Sequence, residues 1–250
     1  MAFEFGEVEA NFDRAADWIA KAACHGSDLV LLPELWASGY DLSNWPRYAA
    51  PLNDGLFPRV ADLAHQHEIA VGCSLLEEGD GKAYNTFVLY GPDGSRWGAY
   101  RKIHRFRLLE EEKWLGAGDE LGLIETPWGP TGLAICYDLR FPEMFVPYAK
   151  SGARLVLIAA EWPERRIAHW TKLLMARAIE NQTFIAAVNK VGESLDVKLG
   201  GRSMVVDPWG IPLVEGDDSE ALLTAEIDLR AADKARRFIP VFKDRRPDLY

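Results

Sequence analysis

The sequence predicts an α/β fold in which mixed β-structure is layered between helices. Two observations lead there. Amphipathic helical segments alternate with short apolar runs of strand length. Hairpin signals interrupt that alternation, so the sheet structure is not that of a purely parallel, doubly wound protein. No low-complexity stretch, internal repeat or long linker divides the 250 residues, so the chain reads as a single domain over 1–250.

The elements follow in order. In "NFDRAADWIAKAACHGSD", Phe12, Ala15, Ala16, Ile19, Ala22 and Ala23 recur at helical spacing, with Asn11 as N-cap and Gly26 as the stop. "DLVLLPE" is a short continuous apolar run, as in a buried strand. A second helix covers about 55–67, and "IAVGCSL" is the next strand. "YNTFVLYGPDGSRWGAYRK" is two strands around a Gly/Pro/Asp turn. "GPTGLAICYD" is a strand ending at Cys136, and a proline then opens a helix over about 142–151. Strand "RLVLIAAE", helix "IAHWTKLLMARAIENQ" and strand "TFIAAVNK" come next. "GRSMVVDPWGIPLVEG" and "ALLTAEIDL" close the chain as antiparallel strands.

Composition narrows the function. The chain is 48% hydrophobic and 26% charged, as an ordinary globular protein is. Its net charge is −10 with no long Lys/Arg run, which argues against nucleic acid and anionic membrane as main partners. No stretch approaches the ~20 apolar residues of a membrane span, and no signal peptide precedes the first helix. Cys24, Cys73 and Cys136 are an odd set without framework spacing, which suits a reducing cytoplasm. His65 and His67 diverge on a helix, and no zinc-type ligand set, phosphate loop or G-x-G-x-x-G is present. No metal is expected.

Three candidates for chemistry fall where strands stop: Glu34, Lys102 and Cys136. Cys136 is either a small buried hydrophobe or a nucleophile. The charged groups and proline of the following "YDLRFPE" favour an exposed turn whose N–H groups face a developing oxyanion. Cys24, inside a helix, and Cys73, inside a strand, read as core thiols. A thiol needs a base, because its free pKa of roughly 8.5 leaves little thiolate at neutral pH. His104 and His169 show no His–Asp spacing and suit structural hydrogen bonding equally. Glu34 is a solvated loop acid or, partly buried, a base of raised pKa. Lys102 is a surface charge beside Arg101 or a cation that favours thiolate and oxyanion. Pro142 occupies the position where a C-x-x-x-x-x-R phosphatase needs arginine.

Taken in order, "LPELWASGYDL", "YRKIHRF", "ICYDLRFPE", "MARAIENQTFIAAVN" and "SMVVDPWG" resemble the nitrilase superfamily of carbon–nitrogen hydrolases across nearly the whole chain. "AEWPERRIAHW" and the closing "IPVFKDRRPDLY" look most like its ω-amidase branch, which hydrolyses small 2-oxo dicarboxylic monoamides. The resemblance implies an αββα sandwich of the nitrilase type that dimerises to αββα–ββαα, with no metal or organic cofactor. It implies Glu34 as base, Cys136 as nucleophile and Lys102 with the Tyr137 N–H as oxyanion donors. Counting back from Gly118 places the family's second active-site glutamate at Glu111, flanked by Glu110 and Glu112. A carboxylate-bearing amide then calls for a cation, with Arg166 preferred over Arg165, and Trp36, Tyr40 and Trp162 are expected as pocket walls or core aromatics. The tail 239–250 is expected as an arm across a homodimer.

Two departures stand out. The family's first apolar strand is shortened, with Met1 near its end, which would open a sheet edge. Arg105 replaces an apolar residue and is expected to alter charge preference or a loop contact. The rival readings are N-carbamoyl, aliphatic amide or nitrile hydrolysis in another branch, or a non-catalytic binding protein on the same scaffold.

Overall fold

The structure, a computed structural model, describes residues 1–249. Helix α1 (Val8–Cys24) buries Ala15, Ile19 and Ala22 from one stripe. It leads to β1 (Leu29–Leu31) and, after a kinked 3₁₀ segment, to α2 (Leu56–Gln66). Strands β2 (Ala70–Gly79), β3 (Lys82–Tyr90) and β4 (Arg96–Arg101) follow as an antiparallel meander. Asp80 and Gly81 both take positive φ between β2 and β3, the turn geometry that matches strand twist in a two-residue hairpin. β1 joins β2 in parallel, completing a sheet of order β1-β2-β3-β4.

The second sheet is longer. After the short helix α3 (Glu111–Trp114), β5 (Gly122–Thr126) and β6 (Gly129–Ile135) form a hairpin. Helix α4 (Pro142–Lys150) leads to β7 (Leu155–Ala160), parallel to β6, and α5 (Ile167–Asn181) leads to β8 (Phe184–Asn189), parallel to β7. A separate hairpin, β9 (Val191–Ser194) and β10 (Val197–Gly200), precedes β11 (Met204–Val206) and β12 (Pro212–Glu215). The sheet order is β12-β11-β8-β7-β6-β5, and α6 (Arg230–Phe238) ends the regular structure.

Packing explains the continuous apolar runs. Phe87, Leu89 and Tyr100 of the first sheet cluster with Leu133, Leu157 and Ile158 of the second, so the two sheets face each other. Ile19, Phe57 and Val60 of α1 and α2 cover the other side of the first sheet. Phe145, Tyr148, Trp170 and Leu174 of α4 and α5 cover the second. The layers are αββα, with β2 and β7 buried on both faces, which is why neither alternates in polarity.

Several expectations are corrected. α1 begins before Asn11, whose side chain instead bonds the Glu4 N–H and carbonyl and the Ala37 carbonyl from inside the helix. Cys24 is exposed, since it ends α1 on the solvent side, whereas Cys73 is buried. Residues 221–229 form no strand: with β1 they line a groove of about 620 Å³, and residues 221–227 find no backbone ladder partner among the described residues. Residues 1–7 hold no strand, in keeping with the shortened first strand; the Met1 carbonyl accepts from Val191 N–H at 3.1 Å. The β9–β10 hairpin and α6 carry short, mixed-polarity sequences that the periodicity did not reveal. Of the two readings of Trp36 the core one holds: it packs with Phe3 and Phe12. Residues 239–249 hold no helix or strand, and Tyr250 of that expected arm lies outside the described residues.

Candidate active site

β1, β4 and β6 end at one side of the sandwich, and each delivers a side chain there. Glu34 follows β1 and is fully buried. Its Oε1 accepts from Lys102 Nζ at 2.8 Å, Asn85 Nδ2 at 2.8 Å and Tyr40 OH at 2.7 Å. Its Oε2 accepts from the Glu161 N–H at 2.9 Å. The next residue, Leu35, holds φ of 44°, and its N–H donates to Ser74 Oγ, which in turn donates to Asn85. Strands β2 and β3 thus brace the base-like carboxylate from beneath.

Lys102 follows β4 and is 1% exposed. Besides Glu34, it donates to Glu111 Oε1 at 2.8 Å. Its backbone is pinned by Asn85 and Gly118. A Cβ at Gly118 would fall 2.1 Å from the Arg101 carbonyl oxygen, so only glycine allows this approach. Glu111 Oε2 accepts from the Phe106 N–H, and Tyr40 OH donates to Glu111 as well as Glu34. Glu110 and Glu112 are exposed and do not reach Lys102. Arg105 donates to the Leu115 carbonyl, a loop contact that fixes the end of α3.

Cys136 follows β6 with φ of 44°, in the left-handed region that costs a non-glycine residue about 1–3 kcal/mol. Asp138 holds it there. Buried Asp138 accepts from the Ile135 N–H, Tyr100 OH, and the backbone and ring nitrogens of His104. The Cys136 thiol lies 4.0 Å from the Glu161 carbonyl. The Tyr137 N–H opens the 3₁₀ turn Cys136–Arg140, where the first N–H groups have no intrahelical partner.

Electrostatics follow from burial. Burial pushes the Cys136 thiol well above its usual value, Glu34 adds to this, and Lys102 opposes it. The thiol is therefore protonated at rest, with an acceptor carboxylate beside it. Burial pulls Lys102 down, but Glu111 and Glu34 outweigh it, so the ammonium is held well above its usual range. Burial raises Glu111, against the pull of Lys102.

Cys136, Tyr137, Tyr40 and Trp162 line one cleft of about 60 Å³ with Phe106, Arg140, Arg165 and Arg166. Tyr40 is more than a wall, because its hydroxyl joins both carboxylates. Arg166 sits with its guanidinium 5.3 Å from the Phe106 ring centroid, and Trp162 Nε1 donates to its carbonyl. Arg140 lies over Trp162 and contacts His169 Nδ1. Burial and the like charges of Arg165 and Arg140 lower Arg166, as expected where cations gather without a carboxylate partner. Sequence reasoning missed Asn85, Asp138, the buried Glu161–Lys190 pair at 3.3 Å, and Ser194. Asn85 had a signal: it is a lone amide in an apolar strand. Among the described residues, no cluster of three His, Cys, Asp or Glu side chains is placed to hold a metal ion. No described helix is long and apolar enough to cross a membrane.

Comparison with known proteins places this geometry. Residues 4–237 match the family model for carbon–nitrogen hydrolases, and the chain belongs to that family, the hydrolases of carbon–nitrogen bonds. It is 39% identical over 247 residues to a 2-oxoglutaramate amidase of Bacillus subtilis (strain 168), covering 98% of this chain and 95% of that protein. It is 35% identical over 250 residues to the omega-amidase NIT2 of Homo sapiens, covering 96% and 91%. The crystal structure of a CN-hydrolase superfamily protein of Xanthomonas campestris, with an arsenic adduct in its active site, superposes with a TM-score of 0.91 at 30% identity, covering 98% and 94%.

Proposed function

We propose that this enzyme is an ω-amidase-like amidohydrolase, cleaving a small carboxylate-bearing amide of the 2-oxo dicarboxylic monoamide class to acid and ammonia through a thioester. The observation that carries the reading is the join between two features: a protonated thiol beside a buried Glu34–Lys102–Glu111 network, and a cleft whose three arginines have no carboxylate partner. The amidase names of the relatives at 35–39% identity support it.

The steps balance. Glu34 takes the thiol proton as Cys136 Sγ forms a bond to the amide carbon, and the carbonyl oxygen gains the charge. Lys102 and the Tyr137 N–H stabilise that oxyanion, a role whose loss costs about 10²–10³-fold per donor. The intermediate collapses, the C–N bond breaks, and Glu34 returns the proton to the leaving nitrogen. Glu34 then takes a proton from water as it attacks the thioester; the C–S bond breaks, the acid leaves, and Glu34 returns that proton to the thiolate. Proton transfer of this kind contributes about 10²–10⁴-fold. Glu111 positions Lys102, and Arg166 with Arg140 binds the substrate carboxylate bidentately.

The chain acts as a homodimer. Ile179, Trp209, Phe238 and Ile239 leave an exposed apolar patch beside the tail, with Trp209 and Phe238 ring centroids 6.0 Å apart. Three unpaired thiols suit a reducing, cytoplasmic setting. Ammonia release across 2-oxo monoamides, aliphatic amides, N-carbamoyl compounds and nitriles tests the assignment, with intact-mass detection of the acyl-enzyme. Fastest turnover of the 2-oxo monoamides is expected. Turnover confined to neutral or carbamoyl substrates removes the ω-amidase reading.

A further inference from the structure

Ser194 is 6% exposed, and its hydroxyl has no hydrogen-bond partner of acceptable geometry. It also lines the cleft at Cys136. Native proteins keep few buried hydroxyls unpaired, because burial without a partner is unfavourable. The placement of this one is built into the fold. Ser194 ends β9 and pairs with Val197 across a two-residue turn. The turn residues, Leu195 and Asp196, have φ of 48° and 59°, the tight hairpin geometry that fixes strand register. β10 is fastened in turn to the segment that carries the arginines. Gly200 N–H donates to the Trp162 carbonyl at 2.9 Å, and Leu199 bridges to Pro163. The hairpin therefore holds Ser194 in fixed relation to Trp162, Arg165 and Arg166. Its charged neighbour is the Glu161 carboxyl, which the hydroxyl faces closely enough to help hold that carboxyl down but not in hydrogen-bond geometry, and which is paired with Lys190.

We propose that Ser194 is a specificity-determining residue that donates its hydroxyl proton to the 2-oxo oxygen of the substrate. The inference rests on the ω-amidase reading above and refines it. The two ends of such a substrate ask for different partners. A carboxylate suits the planar guanidinium forks of Arg140 and Arg166. A ketone oxygen is neutral and only accepts, so a single neutral hydroxyl suits it better than a further cation. When the ketone is missing, Ser194 stays unpaired in the cleft. A site with an unmatched buried polar group rejects the analogue that leaves it so.

The experiment compares 2-oxoglutaramate with glutaramate, the same chain without the ketone, for wild type, Ser194→Ala and Ser194→Thr. Ser194→Ala should lower kcat/KM for 2-oxoglutaramate about tenfold, as loss of one neutral hydrogen bond predicts, and leave glutaramate undiminished or raised, because the unmatched hydroxyl is gone. Ser194→Thr keeps the hydroxyl and should recover most of that loss. Turnover of glutaramate also reports that the variant is folded and its thiol competent. Equal losses on both substrates, or no loss on either, overturn the inference. So does a wild type that turns over both equally, and that result leaves the carboxylate-amide reading standing. A wild type that hydrolyses other amides but neither of these overturns both.

Discussion

Lys102 Nζ lies 2.8 Å from Glu34 Oε1, with side chains 1% and 0% exposed. The same ammonium reaches Glu111, so one buried cation serves two buried carboxylates. Lys102→Met should destabilise the fold by about 3–5 kcal/mol and abolish turnover, because removing one member of a buried ionic group strands the others. Urea unfolding at neutral pH checks the first point, and a loss under ~1 kcal/mol would show the network to be far wetter than its geometry.

Stability should fall as pH rises. Burial lifts the Cys136 thiol above its ordinary 9.0, so the folded chain holds that proton more tightly than the unfolded chain. This stabilisation is complete below 9.0 and is lost as pH climbs through the folded value. Lys102, also raised, has the same sign, with its loss beginning above its ordinary 10.5. Glu111, raised by burial, works the same way in acid, giving full stabilisation below 4.5 and losing it above. Cys136→Ala should therefore flatten the alkaline decline in urea midpoint near pH 9.0. A variant as steep as the parent contradicts the raised thiol.

The three cysteines should separate cleanly. Cys136→Ala should retain the fold and lose hydrolysis to the trace level. Cys24→Ala, at an exposed helix end, should change neither activity nor Tm. Cys73→Ala removes a buried sulfur and should cost about 1 kcal/mol with turnover intact. Residual turnover in Cys136→Ala beyond a trace would rule out the thioester route.

Arg166→Lys should lower kcat/KM for 2-oxo monoamides, because an ammonium cannot reproduce a bidentate fork. Truncation of a buried charge pair costs about 2–5 kcal/mol, and a solvated arginine far less. A neutral amide of equal length should lose much less. Equal losses on charged and neutral amides would assign Arg166 a purely structural role.

Deleting residues 239–250 should weaken self-association, since it removes Ile239 and Val241 from the apolar patch beside Phe238. Light scattering across a dilution series measures this, and unchanged self-association would exclude the tail as a main contact.

What the sequence made legible was what sits at strand ends. Glu34 and Cys136 each follow a short apolar run, and Lys102 follows the second strand around a Gly/Pro/Asp turn; signals of both kinds are local. The groups that hold them were hidden for a physical reason. Asp138 binds His104 across 34 positions, and Glu161 binds Lys190 across 29, so neither pairing leaves a local pattern. Residues 221–229 failed differently. Their apolar alternation suits a strand, but a strand exists only where a neighbour completes its ladder, and here they face a groove and pair with none. Asn11 shows the same override, because a side chain suited to capping found buried carbonyl partners one turn further in.

That groove has a dynamic consequence. No backbone N–H or carbonyl from residue 221 to 227 hydrogen-bonds to another described residue. Amide protection in a native protein reflects the free energy of the opening that frees each N–H. These amides have nothing to break before they meet solvent. In deuterium they should exchange in the first moments, while β2 and β7, laddered on both sides and sealed by helices, keep their protons until global unfolding. The segment is thus a seam in the amide-protection pattern of the sandwich.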